Sequence, residues 1–136
     1  MSQDNRNWSA EVTTIYQRIG GKEFFIELVK RFYDRVAKDP LLRPLYPEDL
    51  QPGKVRLAGF LAQYWGGPPE YSQERGHPRL RQRHMSFRIG QRERDAWVAH
   101  MVAAVDSMDV PLYEVAALKD YFERTATLMI NQAQEI

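Results

Sequence analysis

At 136 residues, 43% of them hydrophobic and 27% charged, the chain reads as one ordinary soluble domain, able to bury about two-thirds of its unfolded surface. A formal charge of +1 gives no global field for nucleic acid or an anionic membrane, and no apolar run approaches the roughly 20 residues of a membrane span. The absence of cysteine excludes disulfides, iron–sulfur clusters, thiolate zinc sites and cysteine nucleophiles. It fits a reducing compartment, and with no signal-peptide core at the N-terminus a cytoplasmic protein is expected.

In chain order, residues 1–12 are polar and predict a flexible arm with Trp8 as its anchor; 13–136 predict a single domain. Thr13 or Thr14 is a good cap for a short helix carrying Ile15, Tyr16 and Ile19 to the Gly20-Gly21 corner. The spacing of Phe25, Leu28, Val29, Phe32, Tyr33 and Val36 predicts a helix over about 22–38, with the Tyr33 phenol on its apolar face. The stretch DPLLRPLYPEDLQPG has four prolines in 15 residues, allows only short turns or a 3₁₀ segment, and presents Leu45 and Tyr46.

A third helix over about 53–65 places Leu57, Phe60, Leu61 and Tyr64 on one stripe and stops at GGPP. Residues 66–79 predict a long loop, and 79–85 one or two helical turns bearing His84. Two long helices complete the chain. The first, 92–108, carries Trp97, Met101, Ala104, Val105 and Met108 inward. The second, 111–132, is opened by Pro111 and buries Val115, Leu118, Phe122, Met129 and Ile130. No run alternates as a strand would, so the class is all-α.

The chemistry concentrates in HPRLRQRHMSFRIG, residues 77–90, which holds two of the three histidines. Neutral imidazole is the commonest metal ligand among side chains, and His84 stands beside the apolar Met85, Phe87 and Ile89. Seven arginines (75, 79, 81, 83, 88, 92 and 94) fall within 20 residues. Glu74, Glu93 and Asp95 interrupt them, which argues for a solvated face over a nucleic-acid patch. Tyr33, Tyr46 and Trp97 each put a polar tip on an apolar body at a position expected to face inward. His77, held extended by Pro78, reads as a cap or a propionate contact and not as an iron ligand, and His100, beside Trp97, as structural. Hydrolase and nucleotide-binding readings find no motif.

Three segments, RFYDRVAKDPLLRPLYPEDL, FLAQYWGGPPEYSQERGHPRLRQRHMSFRIG and RDAWVAHM, together resemble the truncated haemoglobins of the second group. The resemblance spans about residues 13–132. It implies a globin-like, truncated two-over-two helical sandwich around haem b (iron protoporphyrin IX). It also implies that His84 is the proximal ligand and metal-binding residue, with Phe87 and Ile89 as proximal wall. Tyr33 matches the distal tyrosine, Tyr46 the edge of the distal pocket and Trp97 the tryptophan over it. Gly53 falls where many globins carry a distal histidine, while Leu57, Phe60 and Leu61 match the distal wall. Arg83 is the first choice for a haem propionate, with Arg81 and Tyr71 behind it.

The implied function is reversible binding of O₂, CO and NO, with slow O₂ release and, given a small residue at 53, a wide entry to the iron. The alternative on the same scaffold is an enzyme, a nitric oxide dioxygenase or peroxidase. The chain has no flavin or nicotinamide motif, so turnover would need a separate reductase. A third reading is a haem-free helical interaction module. Exposed aromatics leave room for a homodimer.

Overall fold

The computed structural model describes residues 14–132; the arm expected over 1–12 lies outside the described residues. Thr14 is the cap of the first helix, α1 (Ile15–Arg18). Gln17 N–H donates to Thr14 Oγ1 at 3.2 Å while Thr14 N–H donates to Gln17 Oε1 at 3.1 Å, a reciprocal capping box. After the glycine corner comes α2 (Gly21–Val36), whose one apolar face puts Phe25, Leu28, Phe32 and Val36 out of contact with solvent. The proline-rich stretch then folds as a corner around a single 3₁₀ turn, Arg43–Leu45. Arg43 ties that corner by donating to the carbonyls of Pro47 and Glu48, each at 2.9 Å.

The next helix, α3 (Gln51–Tyr64), starts two residues before the expected Gly53. Pro52 does not stop it, because in the first turn its missing N–H has no helical partner to lose. The 66–79 loop is broken by α4 (Glu70–Arg75), a helix that sequence periodicity did not reveal. Six residues with one apolar side chain, Tyr71, are too few to establish a period. His84 ends a five-residue helix, α5 (Leu80–His84). Then follow α6 (Gln91–Asp106) and α7 (Leu112–Leu128). The expected span to 132 overshoots: the chain turns at Met129, and Met129 and Ile130 are only half-buried. Tyr64, expected on the buried stripe of α3, is 51% exposed.

Packing arranges these elements in two pairs. The first pair is α2 with α3, the second α6 with α7, and α2 also lies against α6. One cluster of buried side chains joins the two layers, with Phe25, Phe32, Leu61, Met101, Leu118 and Phe122 at its centre. No strand occurs among the described residues.

The two-layer arrangement depends on how α3 ends. Gly67 N–H donates to the Ala62 carbonyl at 2.8 Å, and the Trp65 carbonyl accepts from Tyr16 N–H at 3.0 Å, docking the end of α3 on α1. Gly66 has φ 110°, and a Cβ there would stand 2.5 Å from the Thr14 side chain. Both the conformation and the space require glycine. Gly66→Ala should therefore lower the unfolding free energy by about 1–3 kcal/mol, read from urea denaturation. A variant as stable as the parent would mean that this junction does not constrain the fold.

Candidate functional site

A cavity of about 630 Å³ opens between the two layers. On one side α2 supplies Tyr33, the corner Tyr46 and α6 Trp97. Tyr33 and Tyr46 meet edge to face with ring centroids 5.6 Å apart. The Trp97 indole N–H donates to the Tyr46 hydroxyl. Burial raises the Tyr46 phenol above its usual range, the neighbouring Tyr33 adds to the rise, and the indole bond opposes it. Burial likewise raises Tyr33, partly offset by the Arg56 guanidinium. Both rings thus keep their O–H at neutral pH. The Trp97 ring is held by Phe32 at 5.1 Å and Phe122 at 5.9 Å.

On α3, Gly53, Leu57, Phe60 and Leu61 line the same cavity. A Cβ at Gly53 would sit 2.8 Å from Tyr33 Oη. Glycine here makes room for a phenol. The expectation that a small residue at 53 leaves an open way in is corrected accordingly: the Tyr33 hydroxyl occupies the space beside it.

The other side comes from the chain between α4 and α6. His84 Nδ1 lies 2.6 Å from the Leu80 carbonyl one turn earlier. A carbonyl can only accept, so the neutral ring carries its proton on Nδ1 and keeps the Nε2 lone pair for another partner. Phe87 and Ile89 also line the cavity, and Phe87 remains 41% exposed. Tyr71 lines it from α4, its ring edge-on to Phe60 at 5.6 Å. Just before α5, Arg79 adopts a left-handed φ of 47°, and its N–H donates to His77 Nδ1 at 3.1 Å. His77 therefore braces the turn that leads into the His84 helix.

Among the arginines, Arg83 lines the cavity while donating to the carbonyls of Pro78 at 2.7 Å and Arg75 at 3.3 Å. Arg81 does not line it. Its guanidinium is used on the carbonyls of Leu128 at 2.8 Å and Ile130 at 2.9 Å. Arg75 lines the cavity too, as does Arg56, which the sequence reading passed over. The signal available for Arg56 was its place three residues after Gly53, on the same face of α3. His100 lies elsewhere, its Nε2–H donating to Asp39 Oδ2 at 2.6 Å and its Nδ1 accepting from Arg35 at 3.1 Å. That bond, followed by the Leu41 N–H, holds the Asp39 carboxyl below its usual range. His100 joins α6 to the corner after α2.

A family model described as bacterial-like globin matches residues 14–131. The chain belongs to the bacterial-like globins. Within them it is a truncated haemoglobin of the second group. It is 42% identical over 119 residues to the group 2 truncated hemoglobin YjbI of Bacillus subtilis, covering 88% of this chain and 89% of that one. A hemoglobin crystal structure from Chloroflexus aurantiacus superposes with a TM-score of 0.87 at 50% identity, over 89% of this chain and all of the other. The truncated oxygen-avid haemoglobin of Bacillus subtilis gives 0.80 at 41% identity, over 88% of this chain and all of the other. The all-helical, two-over-two globin fold follows from these.

Globin membership implies haem, and the residues fit it. No group of three His, Cys, Asp or Glu able to hold a metal occurs among the described residues. An imidazole with a free Nε2 suits the one axial bond a haem iron takes from a protein. The apolar walls suit a flat macrocycle and the four lining arginines, Arg56, Arg75, Arg83 and Arg94, its carboxylates.

One more residue belongs to this globin's site, and neither periodicity nor motif pointed to it. Asn131, just past α7, donates through Nδ2 to the carbonyls of Phe87 at 2.7 Å and His84 at 3.2 Å. Its Oδ1 accepts from Ile89 N–H at 2.9 Å, and its own N–H donates to the Ile89 carbonyl at 2.8 Å. Asn131→Ala removes the three side-chain bonds and leaves partners unsatisfied. It should cost about 1–3 kcal/mol of unfolding free energy, whereas an unchanged denaturation midpoint would show that the side chain does not hold the His84 segment.

Proposed function

We propose that this globin binds haem b through His84 Nε2 and takes O₂, CO and NO reversibly on the Tyr33–Tyr46–Trp97 side. The observation that carries the reading is the convergence of three polar tips on one wall of an apolar cavity whose lining also includes a tautomer-fixed histidine. Haem, when bound, would supply a ferrous iron able to take a diatomic ligand and to place partial negative charge on it. Everything else is done by the chain. Trp97 gives its N–H to the Tyr46 oxygen, leaving the Tyr46 O–H proton free for the ligand. Tyr33, held over Gly53, offers a second O–H.

Each bond to a charged acceptor stabilises by about 1.5–3 kcal/mol, so two would slow ligand escape by roughly 10²–10⁴-fold. Arg56, Arg75 and Arg83, with Tyr71, are the proposed propionate partners. Arg81 acts in this scheme through the C-terminal carbonyls it holds, and Phe60, Leu61, Phe87 and Ile89 face the ring. A separate reductase would keep the iron ferrous, and a cytoplasmic setting suits a cysteine-free chain. A second reading, turnover with peroxide, is favoured by the aromatic rings that link the cavity wall to the surface.

The purified protein should show a Soret band that shifts on reduction and on CO binding, and His84→Gly should lose or alter it until imidazole is added. A protein that stays colourless with added haem would overturn the assignment. In stopped flow, Tyr46→Phe and Trp97→Phe should each release O₂ faster, by about tenfold or more. Parent-like rates in both would remove these side chains from the ligand's surroundings.

A further inference from the structure

Tyr64 is a half-exposed ring with no place in ligand binding, yet every ring beside it leads inward. Its centroid is 4.2 Å from that of Tyr121, 5.2 Å from Trp65 and 6.3 Å from Phe60. Tyr121 and Phe60 both line the cavity, and Tyr121 is only 5% exposed. Tyr121 continues to Phe122 at 5.4 Å, and Phe122 to Trp97 at 5.9 Å. A single buried phenol therefore separates the cavity from a phenol 51% open to solvent.

We propose that Tyr64 is a surface redox site, at which small phenols are oxidised at the expense of hydrogen peroxide consumed in the cavity; this rests on the haem reading above. The overall change is one peroxide and two phenols giving two waters and two phenoxyl radicals. For each phenol, one electron passes from Tyr64 through Tyr121 to the cavity while the Tyr64 hydroxyl proton goes to bulk water. The phenol docked at the surface then returns a hydrogen atom to the Tyr64 oxygen and leaves as a radical. Burial pushes the Tyr121 phenol up to about 12, with the Thr125 side chain opposing the rise, so the ring between Tyr64 and the cavity keeps its proton at neutral pH. Thr125 is itself in the cavity lining.

The route makes Tyr64 the preferred site of radical trapping over Tyr113, which is 78% exposed but does not line the cavity or stack on a ring that does. The experiment treats the haem-loaded protein with hydrogen peroxide and a nitroso spin trap, without added phenol, and locates the adduct by peptide mass spectrometry. Haem content is fixed by the Soret band. The expected result is an adduct on Tyr64, its loss in Tyr64→Phe, and its fall to background in Tyr121→Phe. Adducts on Tyr113 with Tyr64 unmodified would overturn the proposal, as would a Tyr64 adduct that survives Tyr121→Phe undiminished. A parent protein without a Soret band would overturn the haem reading itself, a different failure visible before peroxide is added.

Discussion

No residue from Ser72 to Gly90 is buried, and only Leu80 among them packs against the core, so packing does little to hold the segment that carries His84. It is held largely by hydrogen bonds, several of them supplied by the few residues at and just past the end of α7. Asn131 takes the two carbonyls and one N–H between His84 and Ile89. Arg81 reaches across to the carbonyls that α7 leaves open at its end. The two sets of bonds run in opposite directions between the same pieces of chain, so each end of the staple fixes the other. This also explains why α7 stops at Leu128 while its sequence still looks helical: the carbonyls of the final turn have a guanidinium partner, and Asn131 is needed outside the helix.

The opposite wall is built by other means. Tyr33, Phe60 and Leu61 belong to the main buried cluster, and their positions are set by packing. A core position tolerates little displacement, because interiors are filled to crystal-like density. The Tyr33 hydroxyl must still pass α3, and Gly53 supplies the opening. One wall is rigid through burial and the other through a few polar bonds. That asymmetry suits the proposed task. A ligand's hydrogen-bond donors need fixed positions, whereas a segment that closes over a large prosthetic group must be able to open when the group enters.

The sequence revealed this architecture unevenly, and the reasons are physical. The α2 helix was readable because six turn-spaced apolar residues outvote any local preference. The α6 and α7 helices were readable for the same reason, though α7's apolar period runs past its true end, which is decided by Arg81 and Asn131 from outside. The α4 helix was invisible for lack of length, and the early start of α3 was hidden by a proline that looked like a breaker. Tyr64 fell on the apolar stripe by spacing, but α3 ends there and the ring swings onto Tyr121 at the rim. At the site, residue type and motif resemblance pointed to the tyrosines, the tryptophan and His84, which all line the cavity. The function of Gly53 as a space for Tyr33 was not readable, since a glycine names no neighbour. Asn131 was not either, because the side-chain bonds by which it holds the His84 segment reach back 42 to 47 residues.

The accounting of buried polar atoms separates the two groups of aromatic residues. Trp65 Nε1 is the one buried side-chain polar atom without a hydrogen bond among the described residues, and it stands where Tyr64 and Tyr121 present their rings at near-right angles to the indole. Trp97, by contrast, has an acceptor in the Tyr46 oxygen. The bond fixes which way the phenol can point its own proton, since the oxygen that accepts from the indole must donate elsewhere. With the phenol's ionisation pushed upward by burial, the proton stays on oxygen across the physiological range. Two side chains from different elements, the corner and α6, are thereby set as one directed donor, and neither alone would have its proton aimed in advance.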